Sequence, residues 1–300
     1  MAANAAARLL LLHLLGMMRA NEAGIIADAG IEFLHEYRVA VRRTRAALSQ
    51  IRRVFPAGET ESFKSGFREL GQRTNALRNL DVFLATEPDY QARLPNHIRE
   101  DITPLFDYLR SCRAEALYSV VGGLQSKPYA RFIDDWALFL RRPADDNSPA
   151  NALKPIILIA RRQMDRQYRI ILTEGANALD CADDSYLHAL RIECKKLRYL
   201  LEFFTTLYAP QEVAPLLKRL KRLQDNLGGL SDLADQRDYL LSMAEMLDID
   251  GARARRAMLA IGFLVANIER EQRSIRAKFA DIFIDFSAPA YQKEFQKMIK

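Results

Sequence analysis

The chain has 300 residues, a net charge of +6 and a pI near 9.2, and 49% of it is apolar, enough for one large domain or two medium ones with a substantial core. Glycine is sparse at 13 residues, Ala, Leu, Arg and Glu are abundant, and no alternating β-branched run is present, which argues against a sheet protein and for an all-α one. Cysteines stand at 112, 181 and 194, an odd count without CxxC spacing, so a disulfide framework is disfavoured and a reducing, cytoplasmic compartment is expected.

In chain order, the run Leu9 to Met18 (LLLLHLLGMM) contains His13 and Gly16, is too short to span a bilayer, and reads as a packed first helix; no membrane association is expected. Helices are expected near 5–20, 32–54, 60–86, 97–121 and 128–141, then near 153–178, 184–208, 211–226, 229–247, 251–285 and 289–298. Breaks fall at Pro56 with Gly58, Pro88, Pro95, Pro128, Pro210 and Gly251, while Pro104, Pro155 and Pro215 fit in or near first turns. The most loop-like stretch is PADDNSP, Pro143 to Pro149. Cys194 falls on an apolar helical face and reads as a core thiol.

The two parts flanking that loop repeat each other. LHEYRVAVRRTRAAL from Leu34 aligns with LHALRIECKKLRYLL from Leu187, an offset of 153 positions, and the offset pairs His35 with His188, Arg38 with Arg191, Arg42 with Lys195, Arg43 with Lys196 and Arg45 with Arg198. It continues through Phe67 and Leu220, Arg68 and Lys221, Leu77 and Leu230, and Asn79 and Asp232. A fixed offset over separate segments indicates a duplicated unit, with a first repeat over 1–147 and a second over 148–300.

On a helix advancing about 100 degrees per residue, His35, Arg38, Arg42 and Arg45 share an arc of about 80 degrees immediately beside the apolar stripe of Leu34, Val41 and Leu48. His188, Arg191, Lys195 and Arg198 take the same angles beside Leu187, Cys194 and Leu201, whereas Arg43 and Lys196 sit further round. A merely solvated face would lie opposite the core. Like charges in one arc repel and packing does not require them, so their recurrence in both copies points to a bound anion. The neighbouring helix adds Arg68 and Arg78 in the first copy and Lys221 in the second, next to small residues at Gly71, Gly228 and Gly229. Two positions depart from the repeat: Ser231 stands opposite Arg78, and Leu217 opposite Lys64.

These two histidine-led segments resemble the signature of the CHAD domain, the conserved histidine α-helical domain, and LRNLDVFL at 77–84 and LKRLQDNLGGLSDLAD at 220–235 resemble its second motif. The resemblance runs from about Leu9 to beyond Ile282, and the expectation is one CHAD domain over 1–300. It implies two helical bundles related by a pseudo-twofold axis and non-catalytic binding of inorganic polyphosphate in a basic cleft between them. By motif match the binding set is His35, Arg38, Arg42, Arg43, Arg45, His188, Arg191, Lys195, Lys196 and Arg198, with Arg68, Arg78 and Lys221 added from the helical-face argument. Many CHAD domains are fused to a CYTH domain, a triphosphate-processing tunnel barrel, so such a domain in the same or another chain is a candidate partner, and polyphosphate granules a candidate location.

Signals for chemistry are weak. No P-loop, HExxH or GxSxG is present, and the histidines at 13, 35, 97 and 188 lack metal-ligand spacing, so neither cofactor nor metal is expected. Asp134–Asp135, Asp145–Asp146 and Asp183–Asp184 are adjacent pairs that point different ways on a helix, and Glu36 and Glu193 read as helical ion-pair neighbours. The alternatives are a polyphosphate- or nucleotide-processing enzyme and a binder of nucleic acid or acidic protein. Nucleic acid is disfavoured because Trp136, the one tryptophan, lies outside the basic motifs and stacking aromatics are not evident there.

Overall fold

Alanine and leucine at helical spacing form α1, Ala3–Ile26, which buries Ala7, Leu11, Leu14, Leu15 and Met18. It packs along α2, Ile31–Gln50, which turns Leu34, Tyr37, Val41 and Leu48 into the same cluster. The computed structural model describes residues 1–142, 149–180, 184–246 and 251–299, leaving aside the side chains of Ala57, Met246, Ala252 and Ala254. The expected join at 143–148, the pair Asp145–Asp146, Cys181 and Asp183 lie outside the described residues.

α1 extends beyond the apolar run that marks it in sequence. Its 24 residues reach a mean hydropathy of 1.3 over an 18-residue window, long and apolar enough to cross a membrane, yet its apolar stripe is spent on the core. Its N-terminus is tied down: the amides of Ala3 and Asn4 donate to Lys154 and Ala152, and Ile156 donates to Met1.

The chain continues through α3, Ala57–Arg73; α4, Asn75–Leu84; α5, Glu87–Arg93; a 3-10 helix, Asn96–Ile102; α6, Thr103–Leu124; and α7, Lys127–Arg141, whose N-cap Ser126 accepts from the Tyr129 amide at 3.3 Å. Then come α8, Ile156–Asp180; α9, Asp184–Phe203; a 3-10 turn, Thr205–Leu207; α10, Pro210–Met246; α11, Ala252–Ala277; α12, Phe279–Phe286; and α13, Pro289–Ile299. α9 begins and ends 153 positions after α2, α8 begins 153 after α1, and α8 packs on α9 as α1 packs on α2. Ala2 and Pro155 form an isolated bridge, and no strand occurs among the described residues.

Several expected boundaries move. The helix expected over 60–86 breaks at Thr74, whose hydroxyl donates back to Leu70 and Gly71. The break expected between 226 and 229 is absent: α10 runs through Gly228–Gly229, because Leu216, Leu220, Leu223, Leu227, Leu230 and Leu233 keep one buried stripe on both sides. A helical glycine costs about 1 kcal/mol, and a buried leucine returns about 1.5–3. Gly229 also lets α11 approach, since a Cβ there would lie 3.3 Å from Ile275 Cδ1. Pro215 falls inside α10, past its first turn, and the helix expected over 251–285 divides at Lys278.

The core is shared between the halves. One cluster gathers α1, α2, α7, α8, α9, the first part of α10, α12 and α13, with Trp136 stacked on Phe139, tilted against Phe63 and edge-on to Phe67. A smaller one joins α4, α5 and α6 to α10 and α11. Cys194 is fully buried, and burial pushes its thiol well above the usual range.

Candidate anion-binding cleft

The stripes beside the core meet where α2 lies against α9. His35, Arg42 and Arg43 from α2, and Arg191, Lys195 and Arg198 from α9, line one open cleft of about 590 Å³, with Gln224, Gly228 and Gly229 of α10 at its floor. Arg42 is exposed, Lys195 is half-buried, and neither has an ion-pair partner among the described residues.

The packing holds these cations close enough to oppose one another. Lys195 is lowered from the usual lysine range by desolvation and then by Arg191 and Arg42, against the pull of Asp232 and Asp235. His35 is held below the usual imidazole range by burial, then by Arg78, with Arg42 and Arg38 adding to this and Glu36 opposing it. Arg38 is brought down to about 10 by desolvation, Arg42 and Arg78, and so stays charged at neutral pH. Its guanidinium points into the break between α3 and α4, donating to Gly71 O at 2.9 Å, Thr74 Oγ1 at 2.5 Å and Asn75 Oδ1 at 2.6 Å.

Three carboxylates enter the same cleft. Glu202 accepts from Arg43 across the helix pair at 2.6 Å and from Arg198 along its own helix at 2.6 Å. Asp232 pairs with Arg191 at 2.9 Å and Asp225 with Lys221 at 2.6 Å. Asp232 aligns with Asn79 in the repeat, which gives no sign of an ion-pair partner, and Glu202 and Asp225 lie outside the positions singled out in sequence. Glu202 stands four residues beyond Arg198, a spacing that signals a helical ion pair; its link to Arg43 is 159 residues long in sequence and carries no local signal.

Of the residues singled out from sequence, the cleft brings together His35, Arg42, Arg43, Arg191, Lys195 and Arg198, with Arg38 and Arg78 adjoining through His35. Arg45 lies against Gly71, and Arg68 and Lys221 are exposed on α3 and α10. Lys196 turns away, held by Glu193 at 2.6 Å, whose carboxylate also accepts from Gln167 of α8. His188 does not line the cleft that holds His35. It opens into a neighbouring cavity beside Arg273 and Arg276 of α11, where Arg276 also pairs with Asp184 at the first residue of α9. Among the described residues, no group of three or more His, Cys, Asp or Glu is placed to hold a metal ion.

The CHAD domain family matches residues 9–241. The chain belongs to the CHAD domain family. This CHAD domain is similar to the crystal structure of the CHAD domain from the plant Ricinus communis, with a TM-score of 0.73 and 26% identity over 93% of this chain and 92% of that one. It shares its fold with PptA from Streptomyces chartreusis, with a TM-score of 0.63 and 18% identity over 90% and 97% of the two chains. Among curated proteins, the uncharacterized protein Rv2226 of Mycobacterium tuberculosis is 24% identical over 225 residues, and the match spans 74% of this CHAD domain but 42% of the relative's length.

Proposed function

We propose that this CHAD domain is a non-catalytic binding module for inorganic polyphosphate, and that its two sequence repeats are a structural duplication whose halves grip the ligand between them. The observation that carries this reading is the juxtaposition of Arg42 and Lys195, one from each half, unpaired among the described residues and mutually repelling. A polyanion lying along the cleft relieves that repulsion, and its evenly spaced charges suit a run of cations better than one compact anion does. Arg42, Arg43, Arg191 and Arg198 supply forked donors that grip phosphate oxygens in pairs, while Lys195 acts as a point charge and the His35 imidazole offers an N–H donor. Family membership supports the same ligand through the resemblance drawn from the motifs. A cytoplasmic setting, polyphosphate granules and a CYTH-type partner belong to this reading as well.

The test is a titration of the purified protein with defined-length polyphosphate, with single-stranded nucleic acid as competitor and released phosphate measured in parallel. Saturable binding that nucleic acid of equal charge does not displace supports the reading. Equal competition makes the cleft a general polyanion site, and sustained phosphate release makes the protein an enzyme.

A further inference from the structure

His188 occupies a place that the cleft does not explain. It opens into a cavity of about 280 Å³ between α9, α10 and α11, lined by the cations Arg273 and Arg276 and by the carboxylates Asp184 and Asp235. Neither arginine belongs to the repeated motifs. Arg273 is exposed and has no ion-pair partner among the described residues, while Arg276 meets Asp184.

This cavity adjoins the cleft. On α9, His188 in the cavity and Arg191 in the cleft are one helical turn apart. On α10, Leu227 and Ser231 face the cavity and their sequence neighbours Gly228 and Asp232 face the cleft. At this boundary stand Gly228, which has no side chain, and the short Ser231, beside the Asp232–Arg191 pair. At the position of the first repeat that matches Ser231 stands Arg78, which acts on His35. The two repeats therefore bring cations to their histidine differently. The first uses α4. The second leaves that position small and uses α11, where the residues corresponding to Arg273 and Arg276 in the first repeat are the uncharged Val120 and Gly123.

We infer that the ligand track does not end at Arg191 but crosses Gly228 and Ser231 into this cavity, where His188, Arg273 and Arg276 form a second anion subsite for further phosphates of one long chain. The inference rests on the polyphosphate reading of the cleft. From Arg198 to His188 the track follows about 15 Å of α9, and the subsite extends it further. A short oligophosphate cannot occupy both ends; a long chain can, and the second engagement is then intramolecular.

The test compares long-chain polyphosphate with inorganic tripolyphosphate on wild-type protein, on Arg273→Ala/Arg276→Ala and on Arg273→Glu. The last variant leaves the Arg276–Asp184 pair intact and serves if the double variant melts early. The expected result is a fall of about 10- to 100-fold in the ratio of long-chain to tripolyphosphate affinity, near tenfold for each arginine–phosphate hydrogen bond removed. The long-chain salt dependence should also become shallower by about one unit of log–log slope per arginine. An unchanged ratio in folded variants, or equal weakening for both ligands, overturns the subsite while leaving the cleft standing. Wild-type protein that binds neither ligand overturns the reading of the cleft and the subsite with it.

Discussion

Glu202→Gln should weaken the fold and tighten the ligand, two effects of opposite sign from one atom change. The carboxylate is largely buried and bridges Arg43 and Arg198 at 2.6 Å each, and both arginines are partly exposed. Partly exposed pairs of this kind are worth about 0.2–1 kcal/mol, so the removal of both should destabilise the protein by about 0.5–2 kcal/mol. A phosphate gripped by either arginine would lie roughly 6 Å from the Glu202 carboxylate. Two unit charges at that distance repel by about 0.7 kcal/mol in bulk water and about 2.8 kcal/mol at an effective dielectric of 20, and salt screens roughly half of it. Neutralising Glu202 should therefore tighten polyphosphate binding by about 1 kcal/mol, or about fivefold, in addition to freeing two arginine forks. Calorimetric titration gives the affinity and a thermal melt gives the stability. A folded Glu202→Gln protein with unchanged or weaker affinity would place the phosphates outside the field of this carboxylate and refute the cleft as the site.

Three further outcomes follow from the same geometry. Arg42→Glu with Lys195→Glu removes one cation from each wall and adds repulsion, so affinity should drop at least about 100-fold with the circular dichroism melt retained; a folded double variant that still binds would move the ligand elsewhere. His35 sits below the usual imidazole range, so between its folded value and about 6.5 the unfolded chain binds more protons; stability without ligand should fall as pH is lowered through that window, whereas polyphosphate, drawing a proton onto His35, should bind more tightly there. Melts and titrations between pH 5 and 7.5 check both trends, which His35→Gln should flatten. Arg113 pairs with Asp28 at 2.6 Å and with the almost fully buried Asp81 at 2.7 Å, so Arg113→Ala strands a buried carboxylate and should cost about 3–5 kcal/mol in a denaturant melt, whereas a drop under 1 kcal/mol would mean that Asp81 is satisfied otherwise.

What the sequence conveys about this molecule follows from how far each signal reaches. The helical class, the two histidine-led helices and their apolar stripes are written in local spacing, and α2 and α9 form over the segments that carry them. Angular position carries less. Arg43 and Lys196 are equivalent in the repeat and share one angle, yet Arg43 lines the cleft because Glu202 draws it across, and Lys196 turns out to Glu193. Local breaker residues also mislead: two adjacent glycines leave α10 unbroken above its leucine stripe, while Thr74, with no proline beside it, ends α3 where its own hydroxyl and Arg38 compete for the backbone. The pairings Glu202 with Arg43, in the cleft, and Arg276 with Asp184, in the cavity beside it, join distant segments and so leave no trace in local pattern.

The break at Thr74 lies behind the α2 wall of the cleft, and Arg38 ties the two together. Beneath the cleft, α10 is a single helix of 37 residues, about 55 Å long, braced by α9, α11, α12 and α13. At the break, α3 and α4 meet at a joint, and Arg38 is the pin that fastens it to α2. Any shift of the α2 wall toward an incoming chain should therefore be felt at Thr74, through Arg38, while α10 stays still. A phosphate that captured Arg38 would withdraw the pin and loosen the joint at the moment of binding. Hydrogen exchange would register this as faster exchange in α4 amides with ligand bound, against unchanged protection in α10, and uniform protection of both helices would show the joint to be fixed.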